Sequence, residues 1–273
     1  MTPREHRAPV VTLSFIVLLM AMLWGCTTSA QRTNSAQRTQ SSSPAGTKSP
    51  STARSPRNSP STSHTASSGK ARFGYSVDNP YFPLKPGTSY VYKGQDAGAP
   101  QTDRVVVTHK TKTIMGVKCV VVLDTVSTSG TPVERTFDWY TQDKAGNVWY
   151  FGEDSRDFRG GRWVVSSGSW QAGVDGAKPG IIMPARLRPG KAYRQEFYPG
   201  HAEDMGSVVG FTRSMTVPYG SFKRVLVTRE WTPLEPGIVE RKYYARGLGQ
   251  VGEETVTGGS ETMRLVTVEK GAA

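Results

Sequence analysis

The sequence predicts an all-β domain, made of two related antiparallel meanders with about ten strands in total, that forms a curved sheet, half-barrel or barrel. Three observations lead to this prediction. Short runs of β-branched and aromatic residues recur between Gly, Pro, Asp and Asn residues. The same part of the chain contains no amphipathic pattern long enough for a three-turn helix. It also resembles itself at an offset of about 103 to 106 residues.

The chain opens with a basic and then an apolar segment. Arg4 and Arg7 precede the apolar run 8–25, which is the layout of a secretory signal. The run ends in Leu23-Trp24-Gly25-Cys26, which resembles the lipobox of bacterial lipoprotein signals, although Trp24 replaces the usual small residue. The resemblance implies that the signal peptide 1–25 is removed and that Cys26 carries lipid, such as palmitate. The alternative is an uncleaved signal anchor, since about 18 apolar residues can just span a bilayer.

Residues 26–72 form the predicted linker. Between residues 27 and 70 nearly half of the side chains are Ser or Thr, and no large apolar side chain occurs. Such a segment cannot bury enough apolar surface to offset the entropy lost on ordering, so we expect it to be disordered. A flexible coil of about 45 residues reaches roughly 35–40 Å, which holds a domain away from a membrane surface.

The net charge of +12 is concentrated in this tether. Residues 1–72 carry nine Lys or Arg and one acid, a net of +8, whereas residues 73–273 carry a net of +4. Because the basic charge does not belong to the domain, we expect no nucleic-acid partner. Both interpretations of the N-terminus place the domain at the extracytoplasmic face of the cell membrane, with the membrane itself as a partner.

The domain, residues 73–273, reads as a series of strands and tight turns. Its clearest strands are bounded by turn-forming residues, and they are 104–108, 119–123, 148–151, 224–228 and 263–268. Residues 145–147 separate two aromatic pairs and predict a hairpin turn. Strands joined by short turns pair as an antiparallel meander, and about ten such strands curl rather than stay flat.

Five sequence matches in the same order indicate an internal repeat of two units, 84–153 and 187–256. The matched pairs are 84–90 with 187–193, 115–121 with 219–225, 133–135 with 239–241, 139–140 with 243–244, and 146–148 with 249–251. The segment 166–184 lies between the two units. It is rich in Gly and contains Trp170 and Asp175, so it is either a recognition loop or a cover over one end of the sheet.

Two motifs resemble a loosely defined group of uncharacterised bacterial lipoproteins of actinobacterial type. The first is the aromatic opening YFPL-x-PG-x-x-Y at 81–90, and the second is the closing YYA-x-G-x-G-x-V at 243–251. The resemblance implies a duplicated all-β domain and brings no known activity. A weaker, architectural likeness is to lipid-carrier lipoproteins built on a strongly curved sheet, and fold alone does not imply function.

Most catalytic and metal chemistry is excluded by count. The domain has only His109 and His201, so no multi-histidine metal site is expected, and no phosphate loop, dinucleotide fingerprint or nucleophile elbow occurs. We therefore expect neither a cofactor nor a metal. If Cys26 is acylated, Cys119 has no partner for an intrachain disulfide, and its strand context predicts a small buried hydrophobe.

Aromatic and acidic residues cluster around the predicted hairpin. The candidate ligand-binding residues there and in the insert are Trp139, Tyr140, Trp149, Tyr150, Trp170 and Asp175. Rings stack on the apolar face of a sugar while carboxylates accept hydrogen bonds from its hydroxyl groups, which suits a glycan. The alternative is ordinary cross-strand packing of aromatic side chains.

The sequence leaves three classes of function open. The first is a non-catalytic, membrane-anchored binding module for an envelope ligand, either a lipid or a cell-wall glycan. The second is a cell-wall carbohydrate-active enzyme that uses a carboxylate pair, for which Glu153 and its repeat counterpart Glu254 are the weak catalytic candidates. The third is a structural envelope protein without a ligand. A lipid carrier requires an apolar cavity of several hundred Å³, whereas a glycan site requires exposed tryptophan at a rim.

Overall fold

The computed structural model describes residues 73–74 and 76–271. The predicted signal peptide 1–25, the lipidated Cys26 and the linker 26–72 all lie outside these described residues.

Sixteen strands make up the described chain. They are β1 (Phe73–Gly74), β2 (Thr88–Asp96), β3 (Ala99–Ile114), β4 (Val117–Thr128), β5 (Thr131–Asp143), β6 (Val148–Arg159), β7 (Arg162–Val165), β8 (Trp170–Gln171), β9 (Lys178–Met183), β10 (Ala192–Arg194), β11 (Glu196–Phe197), β12 (Met205–Val217), β13 (Gly220–Trp231), β14 (Val239–Ala245), β15 (Gly249–Thr257) and β16 (Thr262–Lys270). Residues 76–271 contain no helix, so the all-β prediction is confirmed. A helix long and apolar enough to cross a membrane is accordingly absent from this part of the chain.

Two meanders of five strands each form most of the sheet. Strands β2 to β6 pair in sequence order, and so do β12 to β16. The meanders meet where β16 pairs antiparallel with β2, with Met263 opposite Gly94. Beyond β6 the sheet continues into β9, with Ile181 opposite Trp149. The predicted arrangement of about ten strands in two antiparallel meanders is therefore confirmed, while their origin by duplication stays a prediction.

The sheet returns to its own starting point through one short segment. Its two ends, β10 and β11, are consecutive in the chain, with only Gln195 between them. β10 pairs with β12, where Ala192 lies opposite Ser207, and β11 pairs with β9, where Glu196 lies opposite Pro179. Residues 192–197 thus connect both edges, and the sheet forms a nearly closed barrel that leaves few backbone groups unpaired.

Glycines stand at both junctions of the barrel. A Cβ atom placed on Gly180 of β9 would lie closer than 3.0 Å to the backbone of Gln195, which real Cβ atoms essentially never do. Gly94 of β2 meets the backbone of Thr262 in the same way, at the junction with β16. Only glycine lets the chains approach this closely, so these positions are fixed by closure of the sheet.

Alternate side chains point into the barrel and away from it. Inside, the rings of Tyr140 and Tyr150 stack with centroids 4.8 Å apart. Outside, Phe73 of β1 packs edge-on against Trp149 at 5.9 Å and Phe151 at 5.6 Å. Trp149 and Phe151 therefore share one face while Tyr150 takes the other, as strand alternation predicts.

Cys119 is a packed core residue. It has no exposed surface, and its strand neighbours Val117 and Val121 are also buried. Burial raises the pKa of its thiol to about 12, so the thiol stays protonated and unreactive near neutral pH. The prediction of a small buried hydrophobe is confirmed.

The insert 166–184 folds against the barrel rather than forming an open loop. Trp170 of β8 pairs with Glu153 of β6 and is buried. Strand β9 extends the wall itself, between the first meander and the closing segment. This arrangement favours the interpretation of the insert as a cover, although the exposed Asp175 remains at its outer turn.

We expect Gly180→Ala to destabilise the protein because its methyl group would force β9 away from the closing segment. The expected loss in the free energy of unfolding is about 1–3 kcal/mol or more, measured by urea denaturation. Gly220→Ala is the matched control, because its nearest neighbour would lie at an ordinary 4.0 Å. Equal losses in the two variants would contradict the role assigned to Gly180.

Candidate functional site

A segment before β2 crosses one end of the barrel. We call residues 76–84 the mouth segment. At the β5–β6 turn, Asn79 Nδ2 donates a hydrogen bond to the carbonyl oxygen of Gly146 at 2.9 Å. At the β14–β15 turn, the N–H of Gly247 donates to the carbonyl oxygen of Pro80 at 2.6 Å. The mouth segment therefore bridges the two meanders and covers the interior between them.

A pocket lies beneath the mouth segment. The volume of this pocket is about 70 Å³. A pocket of this size holds roughly five water molecules. Phe82 forms the roof, with its ring centroid 5.4 Å from that of Tyr140 and 6.4 Å from that of Tyr244. Further apolar and aromatic side chains form the walls, and they are Tyr90, Tyr92, Val105, Val122, Ile182 and Leu248. The ionisable side chains of the lining are Asp124, Asp138 and Lys242.

The interior that adjoins this pocket is strongly acidic. Nine inward-facing acids are buried, namely Asp103, Asp124, Glu134, Asp138, Glu153, Glu196, Glu230, Glu253 and Glu261. Among the described residues, Lys242 is the one buried cation. Because a desolvated carboxylate is strongly unfavourable without a counter-charge, most of these acids must hold a proton or bind a donor or cation.

Lys242 supplies part of this counter-charge. Its Nζ lies 3.1 Å from Glu230 Oε2 and 3.9 Å from Glu253 Oε2. Burial alone would lower the pKa of Lys242, but the carboxylates of Glu230 and Glu253 outweigh burial and raise that pKa well above its usual value. The ammonium therefore stays charged at neutral pH beside these two glutamates.

Tyr150 bridges two buried acids. Its hydroxyl oxygen lies 2.7 Å from Asp138 Oδ1 and 2.7 Å from Glu153 Oε2. One hydroxyl proton can be donated to only one of them, so the other carboxyl must be protonated to complete the second bond. Burial accordingly raises the pKa of both carboxyls well above the ordinary range. The two acids and the tyrosine act as one proton-sharing unit.

Asp103 and Asp124 form a second pair beside the pocket. Burial raises the pKa of Asp103 to about 8. Burial also raises the pKa of Asp124 well above its usual value, and the neighbouring charge of Asp103 adds to the effect. At neutral pH the pair therefore retains protons that the unfolded chain would release.

Several buried polar atoms lack a partner within the described residues. Asp124 Oδ1 and Tyr140 Oη belong to the pocket lining, and Glu153 Oε1 belongs to the adjoining acid pair. Asp124 is 5% exposed and Tyr140 is 1% exposed, so neither atom is solvated by bulk water. Buried polar atoms are usually hydrogen-bonded, and these atoms are positioned to bind water or a ligand.

A third acidic group lies elsewhere in the interior. Glu240, Glu253 and Glu261 each bring one carboxylate oxygen within 4.8 Å of the others. Oxygen ligands alone suit a hard cation such as Ca²⁺. Lys242 already contacts Glu253, so a protein ammonium supplies positive charge at this position.

The predicted aromatic ligand-binding residues are packed rather than open. Trp139, Tyr140, Tyr150 and Trp170 are buried. Trp149 is half-buried, and its Nε1 donates to Asp143 Oδ2 at 2.8 Å. Trp170 Nε1 donates to Glu196 Oε1 at 3.3 Å, and Lys112 Nζ lies 3.2 Å from the centroid of the Trp139 ring. This placement favours the alternative of cross-strand packing over a stacking platform for a sugar.

The two weak catalytic candidates have different surroundings. Glu153 is buried beside Tyr150, whereas Glu254 is partly exposed, accepts from Tyr243 Oη at 2.6 Å and pairs with Arg264 at 2.8 Å. Strand pairing places Asp138 opposite Glu153 in the first meander and Lys242 opposite Glu253 in the second. By this register the counterpart of Glu153 is Glu253.

Most of the buried acidic residues of the interior were not predicted from the sequence. Asp103, Asp124 and Lys242 each stand in a strand that also contains buried apolar or aromatic residues. Their signal is a charged residue at an inward position of a strand pattern, which can be recognised only after the inward face is known. The pocket itself depends on the mouth segment, whose path across the barrel no local pattern indicates.

We expect Tyr150→Phe to lower the free energy of unfolding by about 1–3 kcal/mol, because it leaves two buried carboxyls without their shared partner. Tyr243→Phe is the matched control, since it removes a hydroxyl from Glu254 in a half-exposed setting. We expect the control to lose less than about 1 kcal/mol in urea denaturation. A loss in Tyr150→Phe no larger than in the control would contradict the shared-proton arrangement.

We also expect stability to fall as the pH rises from about 4 to about 8. The folded chain holds a proton on Asp103 up to a pKa of about 8, so this stabilisation is complete below the unfolded pKa and is lost as the pH rises through 8. Each such carboxyl contributes a slope of up to about 1.4 kcal/mol per pH unit. Asp103→Asn should flatten the profile measured by urea denaturation, whereas exposed Asp175→Asn should leave it unchanged. An identical slope in the Asp103 variant would refute the assignment.

Comparison with known proteins gives only distant structural likeness. No family model matches the chain, and no curated protein matches it. A crystal structure of a candidate exported protein with a YmcC-like fold from Bacteroides fragilis is 14% identical, with a TM-score of 0.42, over 70% of this chain and 99% of that one. A candidate lipoprotein from Parabacteroides distasonis is 14% identical, with a TM-score of 0.38, over 72% of this chain and 100% of that one. Neither source is actinobacterial, and likeness at this level carries no argument about function.

Proposed function

We propose that this chain is a lipid-anchored extracytoplasmic protein whose barrel is a non-catalytic binding module for a small ligand of the cell envelope. The observation that carries the proposal is the covered pocket, in which the buried oxygens of Asp124 and Tyr140 lack a partner among the described residues. Unpaired buried polar groups are unfavourable, so a ligand that pairs with these two oxygens is stabilised there.

The sequence of the N-terminus supports the anchored location. A basic and apolar leader ends in Gly25-Cys26, and a Ser- and Thr-rich stretch separates this cysteine from the domain. The mouth of the pocket lies at the end of the barrel where the domain begins, because Phe73 pairs with Asp143 and Asn79 contacts Gly146 next to it.

The size of the pocket restricts the ligand. A binding site for a lipid chain needs several hundred Å³, and about 70 Å³ is several-fold too small. A larger depression of about 250 Å³ has a mixed lining, in which Arg186, Arg188 and Lys191 lie beside apolar side chains such as Ile181 and Val208. The interior therefore suits a group of a few heavy atoms, either a small molecule or the terminal group of a larger envelope component.

The tightly paired acids Asp138 and Glu153 support a second candidate function, a hydrolase of envelope polymers. Because both contact the same hydroxyl at 2.7 Å, their contacting oxygens are at most about 5.4 Å apart, which is closer to the roughly 5–5.5 Å of retaining glycosidases than to the roughly 6.5–9.5 Å of inverting ones. Their burial away from any open groove argues against a polymer substrate. Loss of a hydrolytic activity in both Asp138→Asn and Glu153→Gln would establish this alternative.

Mass spectrometry of the full-length protein, extracted in mild detergent, tests the leading proposal. Under denaturing conditions we expect residues 1–25 to be absent and acyl chains to be attached at Cys26. Under native conditions we expect an additional small ligand that is lost on unfolding. Leu248→Trp should exclude the ligand because Leu248 lines the pocket, whereas Leu187→Trp, a half-buried leucine outside the lining, should retain it.

Two results would contradict the proposal. An unmodified Cys26 behind an intact residue 1 would contradict the lipid anchor. A wild-type protein with only its own native mass, unchanged after addition of envelope extracts, would contradict the binding module and favour a purely structural role.

A further inference from the structure

We propose that the pocket under the mouth segment binds a small organic cation, an amine or ammonium group, between its aromatic walls and the carboxyl groups of Asp124 and Asp138. This inference rests on the proposed function and specifies the chemistry of its ligand.

The walls of the pocket suit a positive charge. Phe82, Tyr90, Tyr92, Tyr140 and Tyr244 all line it, and the face of an aromatic ring carries negative charge that attracts an ammonium group. An aromatic lining also strips water from the ligand, which strengthens each electrostatic contact inside. An anion would meet the same faces unfavourably.

The polar atoms of the pocket are acceptors in excess. Asp124 Oδ1 has no hydrogen-bond partner within the described residues, and Asp138 Oδ1 lies in hydrogen-bond contact with Tyr150 Oη. Tyr140 Oη, also without a partner, can accept as well as donate. A ligand with N–H donors therefore satisfies atoms that an uncharged apolar group would leave unpaired.

The balance of charge inside the barrel points the same way. Lys242, the lining cation, lies 3.1 Å from Glu230 and 3.9 Å from Glu253, so these two glutamates share its charge with the aspartates. The other buried acids have no second lysine or arginine among the buried residues of the described chain. With nine buried acids and one buried lysine among the described residues, a bound cation adds to the positive charge that Lys242 already supplies to Asp124 and Asp138.

The volume fixes the size of the ligand group. Room for roughly five waters accommodates an ethylammonium or ethanolamine group and excludes a sugar ring or an acyl chain. Such a group occurs both in free small amines and in the headgroups of amine-bearing lipids. The shared chemistry is a compact ammonium on a short stem.

Three probes of matched size test the inference by calorimetry on the full-length chain in detergent. We expect ethanolamine to bind, and neutral ethylene glycol and anionic glycolate to bind at least tenfold more weakly. Binding should release protons, because the aspartates must ionise to contact the cation. Titrations in two buffers of different ionisation enthalpy measure that release.

Two variants locate the site. Asp124→Asn should weaken ethanolamine binding by about 10- to 100-fold, the effect of removing one charge-assisted hydrogen bond. Glu254→Gln, which removes a partly exposed acid outside the pocket, should leave the affinity unchanged. A folded Asp124→Asn protein with wild-type affinity would overturn the inference.

The outcomes separate this inference from the proposed function. Preferred binding of ethylene glycol or glycolate would refute the cation while leaving the binding module intact. Failure of all three probes, together with a ligand-free native mass, would refute both.

Repeating the ethanolamine titration in nanodiscs of phosphatidylethanolamine and of phosphatidylglycerol identifies the source of the amine. Competition in phosphatidylethanolamine alone indicates a lipid headgroup, and equal binding in both kinds of nanodisc indicates a free amine. Either result supports the cation.

Discussion

The barrel depends on a single closing segment. Residues 192–197 pair with β12 on one side and β9 on the other, so both edges of a long sheet are joined by the same few peptide groups. This closure removes the interior from water and lowers the effective dielectric around every group inside it. The acidic residues of the strands are buried as a direct consequence. The glycines at the two junctions are part of the same constraint.

Burial raises the pKa of several of these acids, so they keep protons that exposed carboxylates would release. Asp138 and Glu153 share the hydroxyl of Tyr150, and Lys242 neutralises the glutamates on the second meander. The interior is therefore asymmetric: register places an acid in the first meander where the second has a lysine. Lys242 is the basic residue of the pocket lining, and Asp124 Oδ1, which has no partner among the described residues, is the atom beside which we place an added positive group.

The class of fold could be predicted because strands have a local signature. Runs such as 104–108 and 119–123 combine β-branched residues with turn-forming boundaries, and they became β3 and β4. The candidate site could not be predicted to the same degree, because bulges change which residues face inward. Tyr150 and Glu153 are three positions apart, yet both side chains point inward. The reason is a bulge near Gly152, whose φ is +117°, where β6 carries one extra residue opposite β5. A strict period of two assigns one of them to the wrong face.

The burial of Cys119 has a practical consequence. Its thiol has no exposed surface, and in an acylated chain no second thiol competes for a reagent. Alkylation at this sulfur therefore requires β4 to separate from its neighbours, and the rate of labelling measures how often the barrel wall opens transiently. Local opening of the barrel can thus be detected at the native Cys119, without introducing another cysteine.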